Sequence, residues 1–164
     1  MNKHMAILGL FLLIGVSFSV WTDDYTMYKW GVADCKADVW HEFFYGGPNP
    51  YYGCASPELV GQIKAMDYSL FGNGQPGIIH QMADTVDASS ECYDGTVDKA
   101  CVARYRQQFL SQQVTFNSLM LSANRIMLQS AREALSRDCV SPQALMGDYM
   151  EYSYFLALCN GARR

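Results

Sequence analysis

The sequence predicts an all-α fold: a disulfide-stapled bundle of about five helices, including one long helix over about 97–137. Three observations predict it. No glycine or proline occurs between Thr96 and Ser141, and apolar or small residues keep helical spacing throughout that stretch. No segment shows the sustained apolar-polar alternation of a half-buried strand. The cysteines number six, an even count that suits three bridges.

Each element follows from local chemistry. From Asp23 the apolar positions Tyr25, Tyr28, Val32, Cys35, Val39 and Phe43 recur every three or four residues, with Thr22 or Asp23 available as a cap. This first helix ends in the run from Tyr45 to Gly53, which holds too much Gly and Pro for helix or central strand. Ser56-Pro57-Glu58 supplies an N-cap, a proline at the first helical position and an early acid for a second helix through Val60, Ile63 and Met66 to Phe71. Gly72-Asn73-Gly74 stops it. A third helix is expected from near Pro76, using Ile78, Ile79, Met82 and Val86, and ending before Cys92. The long helix follows, as one piece or two collinear ones, with Cys101, Tyr105, Phe109, Phe116, Leu119, Ala123, Ile126, Ser130 and Ala134 along its apolar face. Ser141-Pro142 restarts a last helix carrying Leu145, Tyr149, Tyr152, Phe155 and Leu158, with Gly161 as its expected C-cap.

Residues 1–19 have the order of a signal peptide: Lys3 and His4, an uncharged run from Met5 to Val16, then small residues. The run is about a dozen residues, short of the roughly 20 that span a bilayer, and no later segment is apolar enough to do so. The expected mature chain, 20–164, is one helical domain, secreted and extracellular, with no membrane span. It has no N-x-[ST] acceptor. Residues 22–98 carry twelve acids against three lysines, and 99–164 carry eight basic residues against four acids. Halves of opposite sign should pack together, and an acidic total with scattered basic residues argues against nucleic acid.

An oxidising compartment makes Cys35, Cys54, Cys92, Cys101, Cys139 and Cys159 disulfide residues. Structural zinc normally needs closer ligand pairs than any here. Successive cysteines lie 19, 38, 9, 38 and 20 positions apart, nearly the same series in both directions about Asp94-Gly95. A chain folding back there pairs Cys92 with Cys101, and equal path lengths then carry Cys54 to Cys139 and Cys35 to Cys159. The second-ranked pairing keeps 92–101 and joins 35–139 and 54–159. An intact last helix holds Cys139 and Cys159 roughly 27 Å apart, too far to bond each other.

The segment FFYGGPNPYYGC, Phe43 to Cys54, resembles the glycine-rich, Tyr-Gly-Cys calcium loop of secreted phospholipases A2. That resemblance implies calcium held by loop carbonyls facing a His-Asp pair. It covers only these residues: His80 is followed by Gln81 without a neighbouring cysteine, and His41-Glu42 lies before the loop. Asp34, Asp38 and Glu42 share one helix face, with His41 alongside, and His80 and Asp84 stand four apart. These read as a solvated acidic face and a surface hydrogen bond, because neither completes a coordination shell. No metal or cofactor is expected, and no nucleophile motif supports acyl transfer.

Aromatic density is the remaining feature. Tyr25, Tyr28, Trp30, Trp40, Phe43, Phe44, Tyr45, Tyr51 and Tyr52 crowd one region, and Tyr149, Tyr152, Tyr154 and Phe155 the last helix; a 35–159 bridge brings the two together. Most should be core, but the number exceeds what one helix face hides, and Tyr and Trp serve binding surfaces. Trp30, Trp40, Phe44, Tyr45, Tyr51, Tyr52, Tyr152 and Phe155 are therefore the candidate binding residues. Seven methionines in the mature chain suit a deformable apolar interior or gap-filling. The expected function is a secreted, non-catalytic binding protein that takes a small apolar ligand or an extracellular protein partner on its aromatic end. In class it is similar to insect odorant-binding proteins, which are secreted, helical and six-cysteine. It departs from their pattern, in which the second and third cysteines stand three residues apart; here 37 residues intervene. The alternative is a structural or assembly subunit of a matrix, coat or secretion, with a second copy as candidate partner, since a helix of about 40 residues exceeds what a compact domain needs. A calcium-dependent hydrolase is the third reading.

Overall fold

The computed structural model describes residues 25–161, so the expected signal peptide, 1–19, lies outside the described residues. Helices dominate it: α1 (25–45), α2 (Pro50–Gly53), α3 (Pro57–Phe71), α4 (Ile78–Ala88), a 3-10 helix (Ser89–Tyr93), α5 (Lys99–Ser136) and α6 (Pro142–Gly161). Among the described residues there is no strand, only an isolated bridge between Gly72 and Pro76.

The helix starts are fixed by side chains that satisfy free backbone N–H groups. Ser56 Oγ accepts from Leu59 N at 3.3 Å, Asp98 Oδ1 from Ala100 N and Cys101 N at 2.9 and 3.1 Å, and Ser141 Oγ from Ala144 N at 3.1 Å. The expected proline-rich turn contains a helix of its own, α2, which corrects the reading of Tyr45–Gly53 as helix-free. Asn49 Oδ1 caps it by accepting from Tyr51 N and Tyr52 N, and Pro50 at the first position already has the φ that a helix requires. α6 runs through Gly161, which does not adopt the left-handed conformation expected of a C-cap. The α3–α4 turn needs its glycines. Gly72 has φ 101°, and a Cβ on Gly77 would lie 2.4 Å from Leu70 O.

α5 is one continuous helix of 38 residues and forms the spine of the molecule. α2, α3 and α4 pack on it, burying Phe109, Phe116, Met120, Ala123, Met127, Ser130, Ala131 and Ala134. The buried face of α1 is Ala33, Ala37, Trp40 and Phe44, one position round from the stripe read from the sequence. Two alanines on that face let the α1 backbone approach closely, and the Trp40 indole N–H donates to Ala123 O on α5 at 3.4 Å. Val39 and Phe43 are consequently only partly buried, at the edge of the core. A five-residue connection brings α6 back antiparallel beside α5. The Tyr152 hydroxyl and Asn124 Oδ1, 3.2 Å apart, set their register at positions about equally far from that connection.

The disulfides are Cys35–Cys159, Cys54–Cys139 and Cys92–Cys101, with Cα separations of 5.7, 6.5 and 5.4 Å and no free cysteine. They are nested, as the spacing about Asp94-Gly95 suggested. Cys92–Cys101 ties the 3-10 helix to the first turn of α5, Cys54–Cys139 joins the end of α2 to the end of α5, and Cys35–Cys159 ties α1 to α6. Among the described residues no helix is long and apolar enough to cross a membrane.

Candidate functional site

Between α1, the loop 46–49, α2 and α6 the fold leaves an open groove of about 810 Å³. Its end is closed by Cys35–Cys159 and by the Tyr28 hydroxyl, which donates to Asn160 O at 2.8 Å. A second hollow, between α1, the α4–3-10 segment and α5, measures only about 20 Å³ and has room for little more than a water molecule.

The rings Phe43, Tyr51, Tyr152 and Phe155 line the groove. Phe43 stacks on Tyr51 with centroids 4.9 Å apart and meets Tyr152 edge-on at 5.4 Å, and it continues inward to Phe44 and Trp40. Such an aromatic chain couples the groove to the core by offset and edge contacts. The Tyr51 hydroxyl donates to Asp148 Oδ2 at 2.6 Å, fixing α2 to α6, while Ser130 on α5 donates to Tyr51 O. Asn49 holds the loop from the other side, its amide donating to Phe43 O as its Oδ1 caps α2.

Five carboxylates border these rings: Asp34, Asp38 and Glu42 from α1, and Asp148 and Glu151 from α6. Among the described residues no Lys or Arg lines the groove. The acidic face read from α1 is therefore one wall of a concave site, and α6 supplies acids to the facing wall. Burial, followed by the like charge of Asp38, raises the Asp34 pKa above the usual carboxylate value, and His80 partly opposes the shift. Burial, followed by the hydrogen bond to Asp148 and its charge, holds the Tyr51 phenol well above its ordinary pKa, and burial pushes Tyr152 up to about 12. Both phenols therefore stay neutral across physiological pH. Among the described residues no group of three or more His, Cys, Asp or Glu side chains is placed to hold a metal.

Of the candidate binding residues, Tyr51, Tyr152 and Phe155 line the groove; Phe155 is on the rim, 43 % exposed. Trp40 and Phe44 are fully buried core rings. Trp30 packs against the core from its edge. Tyr45 and Tyr52 pair at 5.4 Å in a separate cluster, where His41 stacks on Tyr45 and contacts Phe71. His41 Nδ1 lies 2.7 Å from Asp67 Oδ1 on α3, a contact that sequence spacing gave no means of finding. The candidates missed are Asp148 and Glu151, single acids on an apolar helix that become legible only once α6 is laid against α1.

Compared with protein-family models, with curated proteins and with solved structures, the chain matches none of them.

Proposed function

We propose that the chain is an extracellular, non-catalytic binding protein whose groove takes a small organic cation with an apolar or aromatic body. The observation that carries the reading is a concave site lined, among the described residues, by four rings and five carboxylates and by no basic side chain. Rings offer flat apolar contact and an attractive face for a cation, and the carboxylates supply the opposite charge. This refines the expected apolar ligand: a purely apolar guest would leave the groove acids partly desolvated without compensation. The methionines Met66, Met82, Met120 and Met127 are packed into the core, which places the available room at the surface. Three disulfides and the signal-peptide order of residues 1–19 support an extracellular setting.

Calorimetric titration with 2-phenylethylamine and with 3-phenylpropionate tests the reading, since the two share a ring and a chain but differ in charge. The amine should bind and the acid should not. Replacing Asp34 and Glu151 by Asn and Gln should weaken amine binding by at least about tenfold, as should raising salt well above physiological strength. Lowering pH should also weaken it, starting above the usual aspartate range because Asp34 takes up its proton early. Equal binding of both compounds, or of neither, would overturn the reading.

A further inference from the structure

On the side of the molecule away from α3 and α4, α5 exposes Leu110, Val114, Leu121 and Leu128, at 42, 70, 63 and 46 %. Val114, Leu121 and Leu128 stand seven residues apart, Leu110 lies four before Val114, and Asn117 occupies the intervening position. A helix shows this spacing when it presents one seam to another helix, with a polar residue setting the register. α6 continues the surface. Its Met146, Tyr149, Met150 and Tyr154 are exposed at 61, 46, 65 and 61 %, and outside the groove side that carries Asp148 and Glu151 the helix is largely apolar although only Tyr152 and Cys159 are buried. An apolar helix face is normally covered. The Tyr152–Asn124 contact sets Leu128 level with Tyr149, and Leu121 level with the turn after Tyr152.

We infer that a second copy of this chain covers the face, through an antiparallel two-fold contact of the two α5–α6 hairpins with its axis at Leu121. The area agrees: these eight side chains expose on the order of 800 Å², which is what each partner of a standard interface buries and more than a monomer commonly leaves in one apolar patch. Charge selects the direction. Arg125 and Arg132 border the seam and no acid stands on it, so a parallel pair would set each arginine against its copy. About an axis at Leu121, Val114 meets Leu128 of the second copy, Arg125 falls opposite Asn117 and Ser118, and Arg132 falls opposite Leu110 and Ser111. The contact is isologous and closes at two. It leaves the acidic groove outside the seam and does not depend on what the groove binds.

Sedimentation equilibrium of the oxidised protein over a wide concentration range tests the inference. A mass twice that of the chain is expected at micromolar concentration. Val114→Glu with Leu121→Glu, at positions the monomer fold leaves exposed, should weaken association at least about 100-fold while the helical circular dichroism and thermal transition persist. Leu121→Cys should cross-link to its own copy in mild oxidant, and Val114→Cys should not. A monomer at every concentration would overturn the proposal, including one that partitions onto phosphatidylcholine vesicles, which would assign the face to lipid. Association undiminished in the double glutamate variant, or self-cross-linking of Val114→Cys, would overturn the seam or its direction.

Discussion

Tyr51 is held at both ends: its backbone carbonyl accepts from Ser130 in the core, and its hydroxyl donates to Asp148 at the groove. Tyr51→Phe removes the second contact and keeps the ring stack on Phe43, so it should cost about 1 to 2 kcal/mol at neutral pH, read from urea unfolding. A pH signature accompanies this. Tyr51 has a folded pKa above its unfolded value, so its contribution is complete below about pH 10 and is lost as pH rises towards the folded value. Stability of the parent protein should fall above about pH 10, and Tyr51→Phe should fall less steeply there; equal slopes would remove the role assigned to the phenol. Tyr152 keeps the variant from becoming flat. At this scale the sequence distinguishes rings poorly. Trp40, Phe44 and Tyr51 occupy one aromatic region, but the first two are buried on a helix face closed by alanines, and helical spacing does not say which of two adjacent stripes turns inward.

Helix boundaries were legible where a cap was read in the sequence, as at Ser56-Pro57 and Ser141-Pro142, whereas the Asp98 cap of α5 emerged only with the structure. α2 was not legible, because glycines and prolines on both sides outweighed the Asn49-Pro50 start signal within the same run. The end of α5 carries a cap without its usual residue. Asp138 stands at φ 56°, while Cys139 N donates to Ala134 O at 2.9 Å, the six-to-one bond of a left-handed helix end. A residue with a Cβ is strained in that conformation and glycine is not. Asp138→Gly should therefore stabilise the fold by about 0.5 to 1 kcal/mol, seen as a higher midpoint in guanidinium, without altering amine binding at the groove. A lower midpoint would mean that the aspartate side chain contributes more than its backbone costs.

For the molecule as a whole, the cysteine spacing foretold which ends meet, whereas the groove needed the fold, because its acids come from positions more than 100 residues apart. The nested bridges should differ in worth. Cys35–Cys159 spans 124 positions, but with Cys54–Cys139 intact it closes only the segments 35–54 and 139–159, still a longer loop than the 9 positions of Cys92–Cys101, so in the chain-entropy account it restricts the unfolded state more, by about 1 kcal/mol. Replacing both members of each pair by Ala therefore gives an ordered expectation. Cys35→Ala with Cys159→Ala should cost the larger stability, and it should also abolish amine binding, since that bridge holds α6 against α1 at the end of the groove. Cys92→Ala with Cys101→Ala should cost less and leave binding intact, because the bridge only secures the 3-10 helix to the first turn of α5, outside the groove lining. Denaturant unfolding and amine titration on the two variants read both effects. If the outer-bridge variant bound the amine with unchanged affinity, Tyr51–Asp148 and the ring contacts alone would be holding the two walls of the groove together.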